Sequence, residues 1–428
     1  MAKVAQYIWC DKIVFDGHNF AQLNLTDSLL QRILVYFSAV KKLWFLLALL
    51  LVVTTVALLV GKGKTHPKIV ARPLPVVVDS TASKKMKQLY YMLDTLFTAR
   101  SLKNGFSGSV LISVKGQPVY EKCFGYCDYR NKDLMHDTAA FQLASVSKNF
   151  TATAILWCVE RNMLSLDDTL QKFFPKLPYK GITVQQLLCH RSGLPNYLYF
   201  CNSKVVDQTK YLTNQNVIDV MIRTHPPAAA RPNKKFEYCN TNYVLLASII
   251  EKVTGKKFKD FMHDTFFEPL GMTHTFIYDF ADSADRKIAI SYNSKWQIQA
   301  DDCFDGSVGD KGVYSTVTDM FKWDQAFYQG KLLSQDMLKE SYAPRSFEKP
   351  GDRNYGYGWR LIKQPDGHYL VYHNGWWHGN NTVFYRNIED TTTVIILSNR
   401  FNNAVYKIQP VWNILYGFKE DSLGAGEE

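Results

Sequence analysis

In the stretch Phe141-Gln-Leu-Ala-Ser145-Val-Ser-Lys148-Asn-Phe-Thr151 a serine and a lysine stand three residues apart, where a strand-like segment turns into a helical one. If the helix runs over 146–159, Ser145 sits at its N-terminal end and Lys148 lies one turn on, facing the same side. A serine hydroxyl is a poor nucleophile at neutral pH, and an amine held beside it can help take its proton or favour its ionised form. The helix N-terminus adds partial positive charge and free N–H groups. The spacing alone is weak evidence, since ordinary Ser and Lys usage produces S-x-x-K about once or twice in a chain this long. Ser38 with Lys41 and Ser346 with Lys349 match it too.

Two further segments carry polar groups of a suitable kind. Tyr238 and Asn240 lie in a loop before a strongly periodic helix that stops at Gly255, and His373-Asn374-Gly375 ends a strand-like run. The elements that must bring them together can be read in order. Lys84 to Leu102 has helical periodicity, and Phe106–Val114 and Pro118–Tyr126 alternate as strands around a Lys115-Gly116-Gln117 turn. Ala152–Val159 is apolar nearly all round, so the helix is buried and Ser145 and Lys148 project from the end of a central element. Residues 160–345 read mainly as helix and loop. Strands return at 358–363, 368–373, 381–387 and 391–398, and an amphipathic helix at 404–416 closes the domain. Strands at both ends with helices between them predict an α+β fold, its antiparallel sheet formed by both ends of the domain and its mainly helical region an insertion.

The 428 residues, 46% hydrophobic and 21% charged, suffice for a sizeable core. The net charge of +11 comes without a dense Lys/Arg run or a nucleic-acid motif, so it is read as a solvated basic surface and no nucleic-acid partner is expected. The eight cysteines have no framework spacing; Cys123 and Cys127 on one strand would be roughly 13 Å apart, too far for a disulfide. No C-x-x-C or H-E-x-x-H occurs, and no metal or other cofactor is expected.

Ahead of the domain, residues 43–60 (LWFLLALLLVVTTVALLV) are free of charge, flanked by lysines and long enough to cross a bilayer, and no small-residue cleavage site follows. The expected layout is an N-terminal extension of unclear role at 1–42, a transmembrane anchor at 43–60, a proline-containing linker at 61–83, the folded domain at 84–418 and a disordered acidic tail at 419–428. Lysines at both ends leave the orientation open by the positive-inside rule.

S-x-x-K, Y-x-N and H-x-G in this order resemble the serine hydrolases of the class C β-lactamase, DD-peptidase and esterase family. The likeness spans roughly residues 85–415 and includes L-L-x-H-x-S-G-L-P at 187–195 and G-x-Y-S-T-x-x-D-M at 312–320. The resemblance implies a β-lactamase/transpeptidase-like fold and an acyl-enzyme on Ser145, with Lys148 and Tyr238 as catalytic partners. It implies that Asn240, His373, Gly375 and Trp376 bind substrate, the oxyanion hole coming from the N–H groups of Ser145 and Trp376. Tyr238, between Lys148 and His373, is expected as general base, its phenol made more acidic by nearby cations. Asn240 offers an amide to orient Lys148 and a substrate carbonyl, and Gly375 lets the strand approach the substrate.

Efficient class C β-lactamases typically have Lys where this chain has His373, which points to an esterase or DD-peptidase rather than a dedicated antibiotic hydrolase. His190 and Ser192 are read as structural loop residues, and Trp376 and Trp377 as pocket walls. The reading is thus a membrane-anchored, extracytoplasmic serine hydrolase acting on an ester, amide or D-amino-acid peptide, with a cell-wall peptide as one candidate. A β-lactamase, or a non-catalytic scaffold retaining the fold, is the alternative. An α/β-hydrolase is disfavoured because no G-x-S-x-G elbow is present.

Overall fold

The run Thr392–Ser398 is buried on both faces, and it lies in the interior of the main sheet. The structure, a computed structural model, describes residues 80–279, 287–348 and 350–417. Its strands are β1 (Gly108–Val114), β2 (Gln117–Phe124), β3 (Tyr126–Asp128), β4 (Asp133–Leu134), β5 (Phe141–Gln142), β6 (Phe276–Ile277), β7 (Val313–Ser315), β8 (Arg353–Tyr355), β9 (Arg360–Lys363), β10 (Tyr369–Trp377), β11 (Asn380–Asn387) and β12 (Thr392–Ser398). A seven-stranded sheet has the order β2-β1-β12-β11-β10-β9-β8, and its ladders are antiparallel. The β1–β2 hairpin turns at Lys115 and Gly116, both with positive φ, which matches the twist of the flanking strands.

The helices that bear on the site are α1 (Ser80–Asn104), α2 (Ser147–Glu160), α3 (Val184–Leu188), α4 (Tyr197–Phe200), α5 (Asn240–Thr254), α6 (Val317–Tyr328) and α7 (Gln409–Tyr416). Alternation along β12 divides the interior in two. Val394 and Ile396 face Leu93 and Phe97 of α1 and Val411 and Trp412 of α7. Ile395 and Leu397 face the opposite side, whose core includes Phe150 of α2, Leu246 of α5 and Trp323 of α6. Each buried aliphatic contributes roughly 1.5–3 kcal/mol relative to exposure, so β12, covered on both faces, anchors both cores.

The sheet is built from both ends of the domain, as expected, with the helical region between β5 and β8. Three details differ. A small sheet, order β5-β7-β6, joins the strand before Ser145 to the inserted region; strands of two or three residues are too short to show a period. The strand holding His373 runs on to Trp377 because β11 pairs with it that far, through Trp377 and Asn380. The expected helix over 404–416 is a 3₁₀ turn, Asn403–Tyr406, and then α7. Pro410 sits in the first turn of α7, where its missing N–H is harmless, whereas inside a longer helix it would break the ladder. The apolar run 43–60, the linker before α1 and the acidic tail lie outside the described residues. Among the described residues no helix is long and apolar enough to cross a membrane.

Candidate active site

Ser145 lies in a one-turn 3₁₀ segment, Ala144–Val146, that feeds directly into α2. Ala144 just before it has φ +49°, a left-handed conformation that costs a non-glycine residue energy and is held by its surroundings. Leu143 N–H donates to Val313 O at 2.8 Å, and Thr382 Oγ1 donates to Leu143 O at 2.8 Å. Lys148 is fully buried, and its Nζ donates to Ser145 Oγ at 3.1 Å and to the carbonyl of Asp310 at 2.8 Å. That carbonyl belongs to a loop stitched to α2: Thr151 Oγ1 donates to Gly309 O at 2.8 Å and Val313 N–H donates to Ser147 Oγ at 3.1 Å. Gly309 has φ +104°, and a Cβ there would lie 2.3 Å from Tyr243 O, so no larger residue fits.

Tyr238 precedes α5 and Asn240 is its first residue. The Tyr238 ring rests on His190, centroids 4.3 Å apart. Lys148 Nζ lies 4.9 Å from the ring centroid and Arg360 Cζ 5.4 Å. Tyr238 Oη and Asn240 Oδ1 are buried without a hydrogen-bond partner among the described residues. Each such group costs about 1–3 kcal/mol when left unpaired, and Tyr238, whose ring lies beside Lys148, is the one set next to the Ser145–Lys148 pair. The two hydrogen bonds of Lys148 are those to Ser145 and Asp310; none to Asn240 is among them.

Alternation along β10 puts His373, Gly375 and Trp377 on the face shared with Ser145, and Asn374 and Trp376 on the other. His373 is fully buried. Its Nδ1–H donates to Asn374 O at 2.7 Å, leaving Nε2 to accept from Tyr355 Oη at 3.1 Å. Burial first, then the charges of Arg360 and Lys148, hold its pKa well below the ordinary imidazole value, so it is neutral. This corrects the expected electrostatics: the second cation beside Tyr238 is Arg360, not His373. Gly375 has no room for a side chain, because a Cβ would lie 2.3 Å from both Leu143 O and Thr382 Oγ1. The close approach it permits is to the serine turn itself. The Trp376 side chain is 64% exposed and donates from Nε1 to His378 O; Trp377 alone of the pair is on the Ser145 face. β9 pairs with β10 only as far as Tyr372, so among the described residues no strand flanks the outer edge from His373 onward.

Other buried polar residues support the site, and Asp305 among them is signalled by no motif. Buried Asp305 ties the strand leading to Ser145 to the end of β10: its carboxylate accepts from Gln142 Nε2 at 3.2 Å, Trp377 Nε1 at 2.7 Å and His378 Nε2 at 2.8 Å. Asp301, Asp305 and His378 have ligand-type atoms within 4.8 Å of one another. The Asp305 oxygens are already occupied by these donors and by Asp302 N–H, which fits an ion-paired tie better than a metal site. His190 and Ser192 are buried, His190 Nδ1 accepting from Cys239 N–H at 3.1 Å and Ser192 Oγ donating to Asn242 Oδ1 at 2.7 Å. Both fix the loop beneath Tyr238.

The His378–Asp305 tie makes stability depend on pH. Burial alone would lower the His378 pKa, but the bond and charge of Asp305 raise it overall. Burial alone would raise the Asp305 pKa, but the His378 bond and charge lower it overall. The histidine contribution is complete below the ordinary imidazole pKa and is lost as pH rises through the raised one. The carboxylate contribution is present above the ordinary carboxylate range and is lost as pH falls through the depressed pKa. Wild type should therefore lose on the order of 1 kcal/mol more than His378→Gln between pH 6 and 9. Urea unfolding at the two pH values measures the difference, and equal losses would contradict it.

The sheet covered on both faces, the serine on a helix-leading turn and the buried lysine bonded to it define a serine hydrolase scaffold, and the comparisons agree. Residues 93–415 match the Beta-lactamase family model. Penicillin-binding protein 4* of Bacillus subtilis is 33% identical over 344 residues, which cover 76% of each chain. The octameric penicillin-binding protein homologue from Pyrococcus abyssi superposes with a TM-score of 0.65 at 27% identity, over 76% of this chain and 77% of that one. D-amino acid amidase from Ochrobactrum anthropi SV3, in complex with L-phenylalanine amide, gives 0.62 at 25% identity, over 78% and 97%. The chain belongs to the Beta-lactamase family and is a serine hydrolase of the penicillin-binding-protein and β-lactamase fold.

Proposed function

We propose that the protein hydrolyses an amide, ester or D-amino-acid peptide through an acyl-enzyme on Ser145, with Lys148 and Tyr238 moving the protons. The observation that carries this is the 3.1 Å bond from Lys148 Nζ to Ser145 Oγ, with the Tyr238 ring centroid 4.9 Å from the same Nζ. Ser145 Oγ attacks the carbonyl and gives up its proton to the Lys148/Tyr238 pair. The pair returns that proton to the leaving amine or alkoxide; later it takes one from the attacking water and delivers it to Ser145 Oγ as the ester bond breaks and the acid is released. The N–H groups of Ser145 and Trp376 are assigned to the oxyanion, worth about 3 kcal/mol per donor in comparable sites.

Two features favour a peptide-like substrate with a carboxylate. The unflanked edge of β10 offers main-chain groups to an extended chain, and Arg360 adds a second cation beside Tyr238. The names of the relatives, a penicillin-binding protein and a D-amino acid amidase, favour acyl transfer from amides. A cell-wall peptide is one candidate, reached by a domain held outside the cytoplasm through residues 43–60. Acylation by penicillin belongs to this reading; rapid antibiotic turnover does not, since His373 is neutral. Tyr238→Phe should fold at least as well as wild type, because it removes a buried hydroxyl without a partner. It should cut turnover of chromogenic esters and D-Ala-D-Ala peptides about 100- to 10,000-fold. Unchanged turnover would remove Tyr238 from the mechanism, and a wild type inert to the whole panel, nitrocefin included, would favour a scaffold.

A further inference from the structure

A second lysine is buried next to the first. Lys311 and Asp310 are each 3% exposed, with Lys311 Nζ 3.5 Å from Asp310 Oδ2. Tyr197 of α4 donates from Oη to Asp310 Oδ2 at 3.1 Å and accepts from Lys311 Nζ. Lys311 Nζ also lies over the Trp377 ring, 4.7 Å from its centroid. Removing a lysine and an aspartate from water costs several kcal/mol per ion, and an apolar pair of the same volume would often be as stable. The arrangement therefore calls for a role other than stability.

Its position supplies one. The main-chain carbonyl of Asp310, the residue whose carboxylate is held in this cluster, is the acceptor that holds Lys148 Nζ against Ser145 Oγ. The loop around it is bracketed by Gly309 and Gly312, at φ +104° and +96°, conformations that glycine adopts freely, so its geometry is set by the ties it makes rather than by its own backbone preference. We infer that Lys311 is a positioning residue: with Tyr197 it pins the Asp310 side chain, and so fixes the carbonyl that aims the catalytic lysine. This rests on the proposed role of Ser145 and Lys148. Lys311 does not touch substrate; its ammonium is enclosed by Tyr197, Asp310 and Trp377.

The test uses the full-length protein, fluorescent penicillin as acylating probe and a chromogenic ester as substrate. Lys311→Met should slow acylation of Ser145 and lower kcat about 10- to 100-fold, the penalty of misplacing a reacting group by an ångström or less, while KM stays within about threefold. Because Lys311→Met leaves Asp310 buried without its counter-ion and can fail to fold, Asp310→Asn/Lys311→Met, which leaves neither charge, is measured beside it with the same expectation. Crystal structures of the variants should show Lys148 Nζ drawn away from Asp310 O. Wild-type rates with Lys148 in place, in either variant, overturn the inference, as does a loss confined to KM. If the wild type is itself never acylated, the reading of Ser145 falls, and the position of Lys148 in the variant crystals still decides whether Lys311 aims it.

Discussion

Ser145→Ala should abolish covalent labelling by fluorescent penicillin or a fluorophosphonate and lower ester turnover by roughly ten-thousand-fold or more, the scale seen when an acyl-forming nucleophile is removed. The substitution deletes one oxygen at a half-buried position and should leave the melting temperature nearly unchanged. Lys148→Ala should lose acylation to a similar degree by a different route. It leaves the Asp310 carbonyl without its donor and opens a cavity beside Ser145, so it should also lower stability by about 2–4 kcal/mol. Intact-mass measurement separates the cases: a penicilloyl adduct on Ser145→Ala would show that another residue is the nucleophile.

Gly375→Ala should lower activity about 100-fold, through packing alone. Its Cβ would lie 2.3 Å from Leu143 O and Thr382 Oγ1 and 3.1 Å from Ala144 Cβ, the residues that lead into Ser145. Either β10 or the serine turn must shift, at about 1–3 kcal/mol for overpacking, and a displacement near 1 Å costs about 100-fold in rate. Gly330→Ala is the control, since nothing lies within 4 Å of its Cβ and only its φ of +63° is unfavourable, at about 1–2 kcal/mol. The prediction is that Gly375→Ala loses activity out of proportion to its stability and Gly330→Ala does not. Melting curves and ester turnover on both variants check it, and parallel losses would refute it.

The residues with sequence signatures are those whose side-chain type does the work at a fixed offset. Ser145 with Lys148, Tyr238 with Asn240 and His373 with Gly375 fall into this group, and the structure sets Tyr238 beside both Lys148 and His373 and packs Gly375 against the turn that leads into Ser145. Asp310 contributes a main-chain carbonyl, so its residue type carries no signal. Arg360 is one charge at the start of a short strand, and its meaning comes only from the β9–β10 pairing that sets it beside Tyr238. Asp305 and Lys311 act through partners distant in sequence, Gln142, Trp377 and Tyr197, and no local period points to such contacts. The two glycines bracketing Asp310 and Lys311 were the available clue. The neutrality of His373 needed its burial, which composition cannot supply. In the fold, the sheet and its inserted helices were legible because β12 and α2 are long and strongly apolar. The small β5-β7-β6 sheet and the Pro410 break were not, since short strands and 3₁₀ turns follow local geometry more than pattern.

The pairing of β1 with β12, from Gly108 opposite Ser398 to Ser113 opposite Thr393, joins the opening of the domain to its close. Contacts so distant along the chain yield nothing until the intervening loop has been closed, which slows folding. A polypeptide emerging N-terminus first completes β1, β2, α1 and the whole catalytic motif set from Ser145 to Gly375 before the strand that supports both cores exists. Every sequence element needed for the chemistry is then present in a chain that cannot yet hold it. Truncation before Thr392 should leave such a chain permanently unfolded, so the integrity of the last strands serves as the checkpoint for whether the serine ever meets its lysine.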